Sequence, residues 1–330
     1  MSSESSPSVL VTEPEFRRAP QVFESTDSLR CIPVKPDEAA LSAAIVEHRA
    51  RYVVVGSVKY ESALYATLPR GGVIARFGVG HDGIDKRKAT DAGLLCTNTP
   101  GVLDASVAEH TALLMLAVAR RLHALTAEMT AGTWALGPAG TELRDKTLAV
   151  IGSGRIGQAT ARIASHGFGM RVIGCRRTAP TSNGPSGDWA FVTPDFEAAV
   201  READFVSLHI NAEPANIRYI DRHRLAMLPS RACLINTARG AVVDEQALYD
   251  ALASGGLAGA GLDVFDREPY VPADPSRDLR TLSNVVLTPH VGSNTREANR
   301  GMATRALQNV RLAEAGQFEA MDLVNPEVIR

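Results

Sequence analysis

Three side chains could together do acid–base chemistry on an anionic substrate: Arg239, Glu268 and His290. The planar fork of Arg239 can pair with both oxygens of a carboxylate. His290 can give or take a proton near neutral pH, and a carboxylate such as Glu268 can orient it and favour its charged form. Taken singly, each has a plainer reading: a surface arginine, a hydrogen-bonded structural histidine, a solvated acid. Position joins them. Each follows an apolar run that reads as a strand, and in an open parallel sheet ligands gather at the carboxyl ends of strands. The same reasoning adds Gly78-Val79-Gly80, Cys175-Arg176-Arg177, His209, Thr237-Ala238 and Asp263.

One stretch supplies the scaffold for a second ligand. Thr147-Leu148-Ala149-Val150-Ile151 runs into Gly152-Ser153-Gly154-Arg155-Ile156-Gly157. Ile156, Ala159, Thr160, Ile163 and Ala164 then recur at helical spacing. A bare glycine turn can precede an ordinary helix; strand before and helix after select a dinucleotide site. Gly152 makes the sharp turn, Gly154 admits a pyrophosphate, and Gly157 lets helix and strand pack closely. The helix N-terminus offers free N–H groups to the phosphates.

The remaining elements alternate. Val9–Val11, Leu29–Val34, Tyr52–Val55, Val73–Phe77 and Leu94–Cys96 read as strands, with helices starting near Asp37 and Asp85. Later strands are Arg171–Gly174, Phe205–His209, Ala232–Asn236, Ala260–Val264 and Val285–Thr288, with helices at Asp244–Ala253 and Thr295–Ala315. The alternation implies parallel sheets covered on both faces, an α/β fold. One long helix is expected from Val107 to about Met129, buried on several sides and capped by Asp104 or Ser106. Residues 179–188 read as a surface loop and the first eight as a disordered polar tail.

With 330 residues, the chain suggests two domains. A net charge of −2 offers no basic field for nucleic acid or anionic lipid. No apolar run is long enough to cross a membrane. The four cysteines lack metal spacing, so no metal site is expected, and they suit a reducing cytoplasm.

From Tyr52 to Leu312 the chain resembles the D-isomer-specific 2-hydroxyacid dehydrogenases, the glyoxylate and hydroxypyruvate reductases in particular. The matching segments are Phe77-Gly78-Val79-Gly80-His81-Asp82-Gly83-Ile84-Asp85, Thr97 to Val102, Val107-Ala108-Glu109-His110, the glycine turn, Ser207-Leu208-His209, Leu234 to Gly240, Gly261 to Pro269, and Leu287 to Ser293. The resemblance implies two Rossmann-like domains with a cleft between. A dinucleotide-binding domain, residues 104–295, would be inserted in a flavodoxin-like substrate domain, residues 1–103 and 296–330. It implies a homodimer through the long helix and the loop around Trp134. Arg239 would bind the substrate carboxylate and polarise its 2-oxo group, His290 would protonate that oxygen, and Glu268 would hold His290. The amides of Val79 and Gly80 would also bind the carboxylate. Asp263 would hydrogen-bond the nicotinamide carboxamide; Arg155, Ile156, His209, Thr237, Ala238 and Gly292 would complete the cofactor site.

An acid some 20 residues past the glycine turn normally bonds the ribose 2′-hydroxyl of NAD. Here the strand ends in Cys175-Arg176-Arg177-Thr178, with no acid. Arg176 and Arg177 would instead clamp a 2′-phosphate, so NADP(H) is expected over NAD. Small 2-oxo acids such as glyoxylate and hydroxypyruvate are the expected substrates, and Tyr60 and His81 are candidate pocket residues. The chain ends soon after its last helix, which argues against the long phosphoglycerate dehydrogenases. Glu268 in place of Gln argues against formate dehydrogenase. Alternatives are an NAD-linked dehydrogenase of another acid (lactate-like, phosphoglycerate or phosphite) and a nucleotide-sensing, non-catalytic co-regulator.

Overall fold

The computed structural model describes residues 6–26, 28–134, 137–178 and 187–329. Most of the loop expected at 179–188 and residues 1–5 of the expected tail lie outside these. Ser8, expected in the tail, begins a strand instead. The chain divides into two compact units: residues 1–103 with 294–330, and residues 104–293. Among the described residues no helix is long and apolar enough to cross a membrane.

The first unit holds five strands: β1 (Ser8–Thr12), β2 (Arg30–Val34), β3 (Tyr52–Val55), β4 (Val73–Arg76) and β5 (Leu95–Thr97). All pairs are parallel, in the order β2-β1-β3-β4-β5. This is the flavodoxin-like order. β3 is buried at every position, as a central strand covered on both faces must be. The helix Glu38–His48 buries Leu41, Ala44 and Ile45, and Asp37 caps it by accepting the Ala40 N–H at 2.9 Å. Tyr60, a candidate pocket residue, is 1 % exposed and packs in this core, its hydroxyl donating to Pro36 O.

The second unit holds β6 (Thr147–Ile151), β7 (Arg171–Cys175), β8 (Phe191–Thr193), β9 (Phe205–Leu208), β10 (Cys233–Asn236), β11 (Gly259–Leu262) and β12 (Val285–Leu287). They form one parallel sheet in the order β12-β11-β10-β9-β6-β7-β8. Counted within the unit, the first strand lies between the second and the fourth, the dinucleotide-binding topology. Along β6 the side chains alternate between two cores. Ala149 and Ile151 join one, and Leu148 and Val150 join the other with Leu114 and Met115 of the helix Asp104–Ala119. That helix lies close on the sheet because β11 is small: a Cβ on Gly261 would stand 3.0 Å from Leu114 Cβ.

The single helix expected from Val107 to Met129 is two. Asp104–Ala119 ends before Arg121, whose φ of 54° is left-handed, and Leu122–Thr130 follows. The expected burial also fails for the second piece. The first buries eight residues and the second none. The apolar packing positions stop at Ala119, and Arg120-Arg121 carry the chain off the sheet.

Candidate active site

The glycine turn joins β6 to the helix Arg155–Arg162. Gly152 has φ of 101°, and a Cβ there would lie 2.5 Å from His209 O. A Cβ on Gly157 would lie 2.0 Å from Gly152 O, so helix and turn touch through bare backbone. Gly154 differs: a Cβ would meet nothing within 4 Å. The fold needs no glycine there, and the open space fits the approach of a pyrophosphate to backbone amides. Ile156 is half-buried, and Arg155 is exposed and paired with Asp104 at 2.7 Å. His209 directly follows β9, which lies beside β6 at the point where the strand order reverses. Its Nε2 lies 2.8 Å from Ser207 Oγ, and burial pulls its pKa down to about 4.

β7 ends at Cys175, and Arg176 and Arg177 follow, both exposed. Arg177 Nη2 lies 3.8 Å from Glu213 Oε2, so one arginine of the expected clamp already faces an acid.

At the other side of the reversal, β10, β11 and β12 lie in order and deliver the acid–base groups. Arg239 follows β10. Asn236, 1 % exposed, shapes that turn by donating to Arg239 O at 2.9 Å and accepting the Ala238 N–H at 3.0 Å. Arg239 Nη1 donates to Ala238 O at 2.6 Å. Thr237 Oγ1 meets Thr111 Oγ1 at 2.8 Å. A Cβ on Gly240 would overlap the Phe265 carbonyl carbon at 1.8 Å, which brings the turn after β10 against the loop after β11. That loop carries Glu268, whose bond to Pro269 is cis.

His290 follows β12. Its Nδ1 lies 2.7 Å from Glu268 Oε2, and the pair is about one-third exposed. With Nδ1–H donated to the carboxylate, Nε2 is left for a substrate. Burial pushes the Glu268 carboxyl up, but the hydrogen bond and charge of His290, the Phe265 amide and the charge of Arg239 outweigh it, and it titrates below the usual range. Asp263 is 1 % exposed. It accepts the Thr288 hydroxyl at 2.6 Å and the amides of Val291 and Gly292 at 2.8 Å each. The structure thus brings Arg239, Glu268, His290, Asp263 and Gly292 onto one rim of the second unit. His110 and Thr288 belong with them and were given no role from sequence. A histidine alone in an alanine- and leucine-rich buried helix was the available signal.

In the first unit, Val79 and Gly80 sit in the loop after β4, both half-buried. The loop is held by its carbonyls: Arg76 Nε donates to Gly80 O and Asn98 Nδ2 to Val79 O, each at 2.8 Å. Gly78, at φ of 140°, takes the turn and donates its N–H to Thr99 Oγ1. His81 follows, half-buried.

Comparison with known proteins bears on the family and the fold. Residues 112–292 match the family profile of the D-isomer specific 2-hydroxyacid dehydrogenase, NAD binding domain. A glyoxylate reductase of Thermococcus litoralis is 40% identical over 279 residues, 82% of each chain. The structure of an NADPH-dependent glyoxylate/hydroxypyruvate reductase from Sinorhizobium meliloti, in complex with NADP and malonate, superposes with a TM-score of 0.81 at 28% identity, covering 98% of both chains. A D-lactate dehydrogenase from Aquifex aeolicus, complexed with NAD and lactic acid, gives 0.82 at 26% identity, covering 96% of this chain and 99% of that one.

Proposed function

The chain belongs to the D-isomer-specific 2-hydroxyacid dehydrogenases, and from that premise we propose that it is an NADPH-preferring reductase of a small 2-oxo acid of the glyoxylate or hydroxypyruvate type. It is an oxidoreductase of the CH–OH class linked to NAD(P). The observation that carries the reading is the 2.7 Å pair of His290 Nδ1 and Glu268 Oε2, with Arg239 charge beside it, on the sheet that carries the glycine turn.

The bound nicotinamide supplies the hydride. The protein manages the charge that this creates on the substrate oxygen. Arg239 binds the substrate carboxylate with its fork and offsets that charge. His290 gives its Nε2 proton to the oxygen. Glu268 keeps Nδ1 protonated and stabilises the imidazolium before transfer, a contribution of roughly 10²–10⁴-fold for such catalysis. The amides of Val79 and Gly80 are assigned to the substrate carboxylate, and the half-buried His81 beside them to substrate selection. Gly152, Gly154, Arg155, Ile156, Gly157, His209, Thr237, Ala238 and Gly292 are assigned to the cofactor. Asp263 is assigned to the carboxamide through Oδ2, which accepts only the Gly292 amide among the described hydrogen bonds.

NADPH preference rests on Arg176 and Arg177, both exposed after β7 with no acid in their place. Arg176 is the stronger member, since Arg177 shares its charge with Glu213. We assign the work to the cytoplasm, where the free thiols Cys31, Cys96, Cys175 and Cys233 persist. The test is oxidation of NADPH at 340 nm against a panel of 2-oxo acids, repeated with NADH and with Arg176→Asp. Turnover of glyoxylate or hydroxypyruvate is expected, with kcat/KM favouring NADPH and reversed by the variant. Tight cofactor binding without turnover of any acid would convert the reading to a nucleotide sensor. A wild-type preference for NADH would remove the phosphate clamp.

A further inference from the structure

His290 holds a backbone conformation that residues with a Cβ avoid, at φ of 54°. Something must hold it there. Its N–H donates to Asp263 O at 2.7 Å and to Thr288 O at 3.1 Å. The next two amides, Val291 and Gly292, donate to the two oxygens of the Asp263 carboxylate. The loop 288–292 is therefore wrapped around one buried acid. A Cβ on Gly292 would stand 3.0 Å from Asp263 Oδ2 and 3.5 Å from His110 Cδ2, so His110 closes the other side.

His110 comes from the helix Asp104–Ala119, and its side chain is 12 % exposed. Its Nε2 lies 3.0 Å from Thr288 Oγ1 and 3.3 Å from Asp263 Oδ1. The direction of these bonds follows from counting protons. The Thr288 hydroxyl has one hydrogen, and at 2.6 Å from an ionised carboxylate oxygen it points there. Thr288 Oγ1 must then accept from His110, which requires the proton on Nε2. The result is a directed chain, His110 Nε2–H to Thr288 Oγ1–H to Asp263 Oδ1, each bond polarising the next. The Asp263 carboxyl reflects this: burial pushes it up, but His110, Thr288 and the two amides outweigh burial and hold it below the usual range.

We infer that His110 is a positioning residue for the reaction: through Thr288 and Asp263 it fixes the 288–292 loop and so aims the His290 imidazole. It touches neither substrate nor cofactor in this role. The inference rests on the reading of His290 as proton donor. Removing the Nε2 donor leaves Thr288 Oγ1 without the bond it accepts and takes a positive-edged partner from beside Asp263 Oδ1, and the loop relaxes toward an ordinary φ. The His290–Glu268 bond then loses its alignment, while the glycine turn is untouched.

The test compares His110→Phe, which keeps a flat ring without a donor, with His110→Gln, whose amide N–H reaches about as far as Nε2. Full-length protein is assayed with NADPH and the best 2-oxo acid of the panel. His110→Phe is expected to lower kcat on the order of ten- to a hundred-fold, the scale of a misplaced catalytic group. Its KM for NADPH should rise much less than kcat falls, because the glycine turn still holds the dinucleotide while only the carboxamide end meets the relaxed loop. His110→Gln should recover most of the loss. A Phe variant with wild-type kcat, or Gln and Phe variants equally impaired and equally lowered in Tm, would overturn the inference, since packing alone predicts the latter. Should His110→Phe fail to fold, Thr288→Val decides: it removes only the hydroxyl link, and wild-type kcat would overturn the role while a similar loss would support it. A wild-type enzyme inactive on every acid would instead overturn the functional reading, so the two failures are distinct.

Discussion

A histidine kept neutral inside a folded protein makes stability depend on acid. His209 titrates at about 4 because burial disfavours its charged form. In the unfolded chain it titrates near the ordinary value of about 6.5. Between these two values the unfolded chain binds a proton that the folded chain refuses, so stability falls as pH drops through that window and levels off below it. Urea midpoints measured without cofactor from pH 7.5 to 4.5 should therefore decline more steeply for wild type than for His209→Gln. Equal slopes would mean that His209 is solvated in the folded protein. At this scale the sequence was legible where chemistry depends on residue type and place after a strand, as with Arg239, Glu268 and His290. It was silent on His110 and Thr288, which stand 178 positions apart and matter only through a hydrogen bond that the fold creates.

The strand–turn–helix of the glycine motif separates what the fold requires from what a ligand requires. Gly157 is structural: an added methyl would strike the Gly152 carbonyl oxygen at 2.0 Å. Gly154 has open space and φ of −70°, which alanine adopts without strain. Gly157→Ala should lower stability by a few kcal/mol, the scale of overpacking, and weaken cofactor binding with it. Gly154→Ala should leave Tm within a degree or two and still weaken NADPH binding at least about ten-fold, because the pyrophosphate must approach that backbone. The check is Tm by calorimetry beside Kd by fluorescence titration. Undiminished affinity in Gly154→Ala would show that no phosphate comes near the turn. This element was readable because apolar run, glycine spacing and helical periodicity agree. The helix after Asp104 was misread in length because alanine and leucine continue past Ala119, and only packing ends it. The short strand Phe191–Thr193 and the helices Glu13–Arg18 and Pro20–Glu24 were missed because each is too brief to show a period.

For the molecule as a whole, each sheet's all-parallel order was legible as alternation of strand and helix, since a parallel strand needs a crossover and the crossover must cover a face. Assembly leaves a weaker trace, because it depends on which apolar residues the fold leaves outside. Among the described residues of the second unit, five of the seven exposed large apolar side chains fall close together in the chain, Ile217 and Val271 lying apart from them. Leu113 and Leu116 lie three apart, on one side of their helix, and are 51% and 38% exposed. Leu122, Met129 and Trp134 follow at 50%, 55% and 87%. Burying a leucine-sized side chain is worth about 1.5–3 kcal/mol, so covering several of them would support a stable interface. A second copy of the chain is the partner we assign, as a homodimer through residues 104–134. Light scattering should give a mass twice the 35.1 kDa of one chain. Leu113→Glu combined with Trp134→Ser changes only exposed positions and should shift the protein toward the single-chain mass with its Tm reduced no further than loss of the partner explains. A wild-type protein that runs as a monomer across the micromolar range would leave those side chains without the occupant proposed for them.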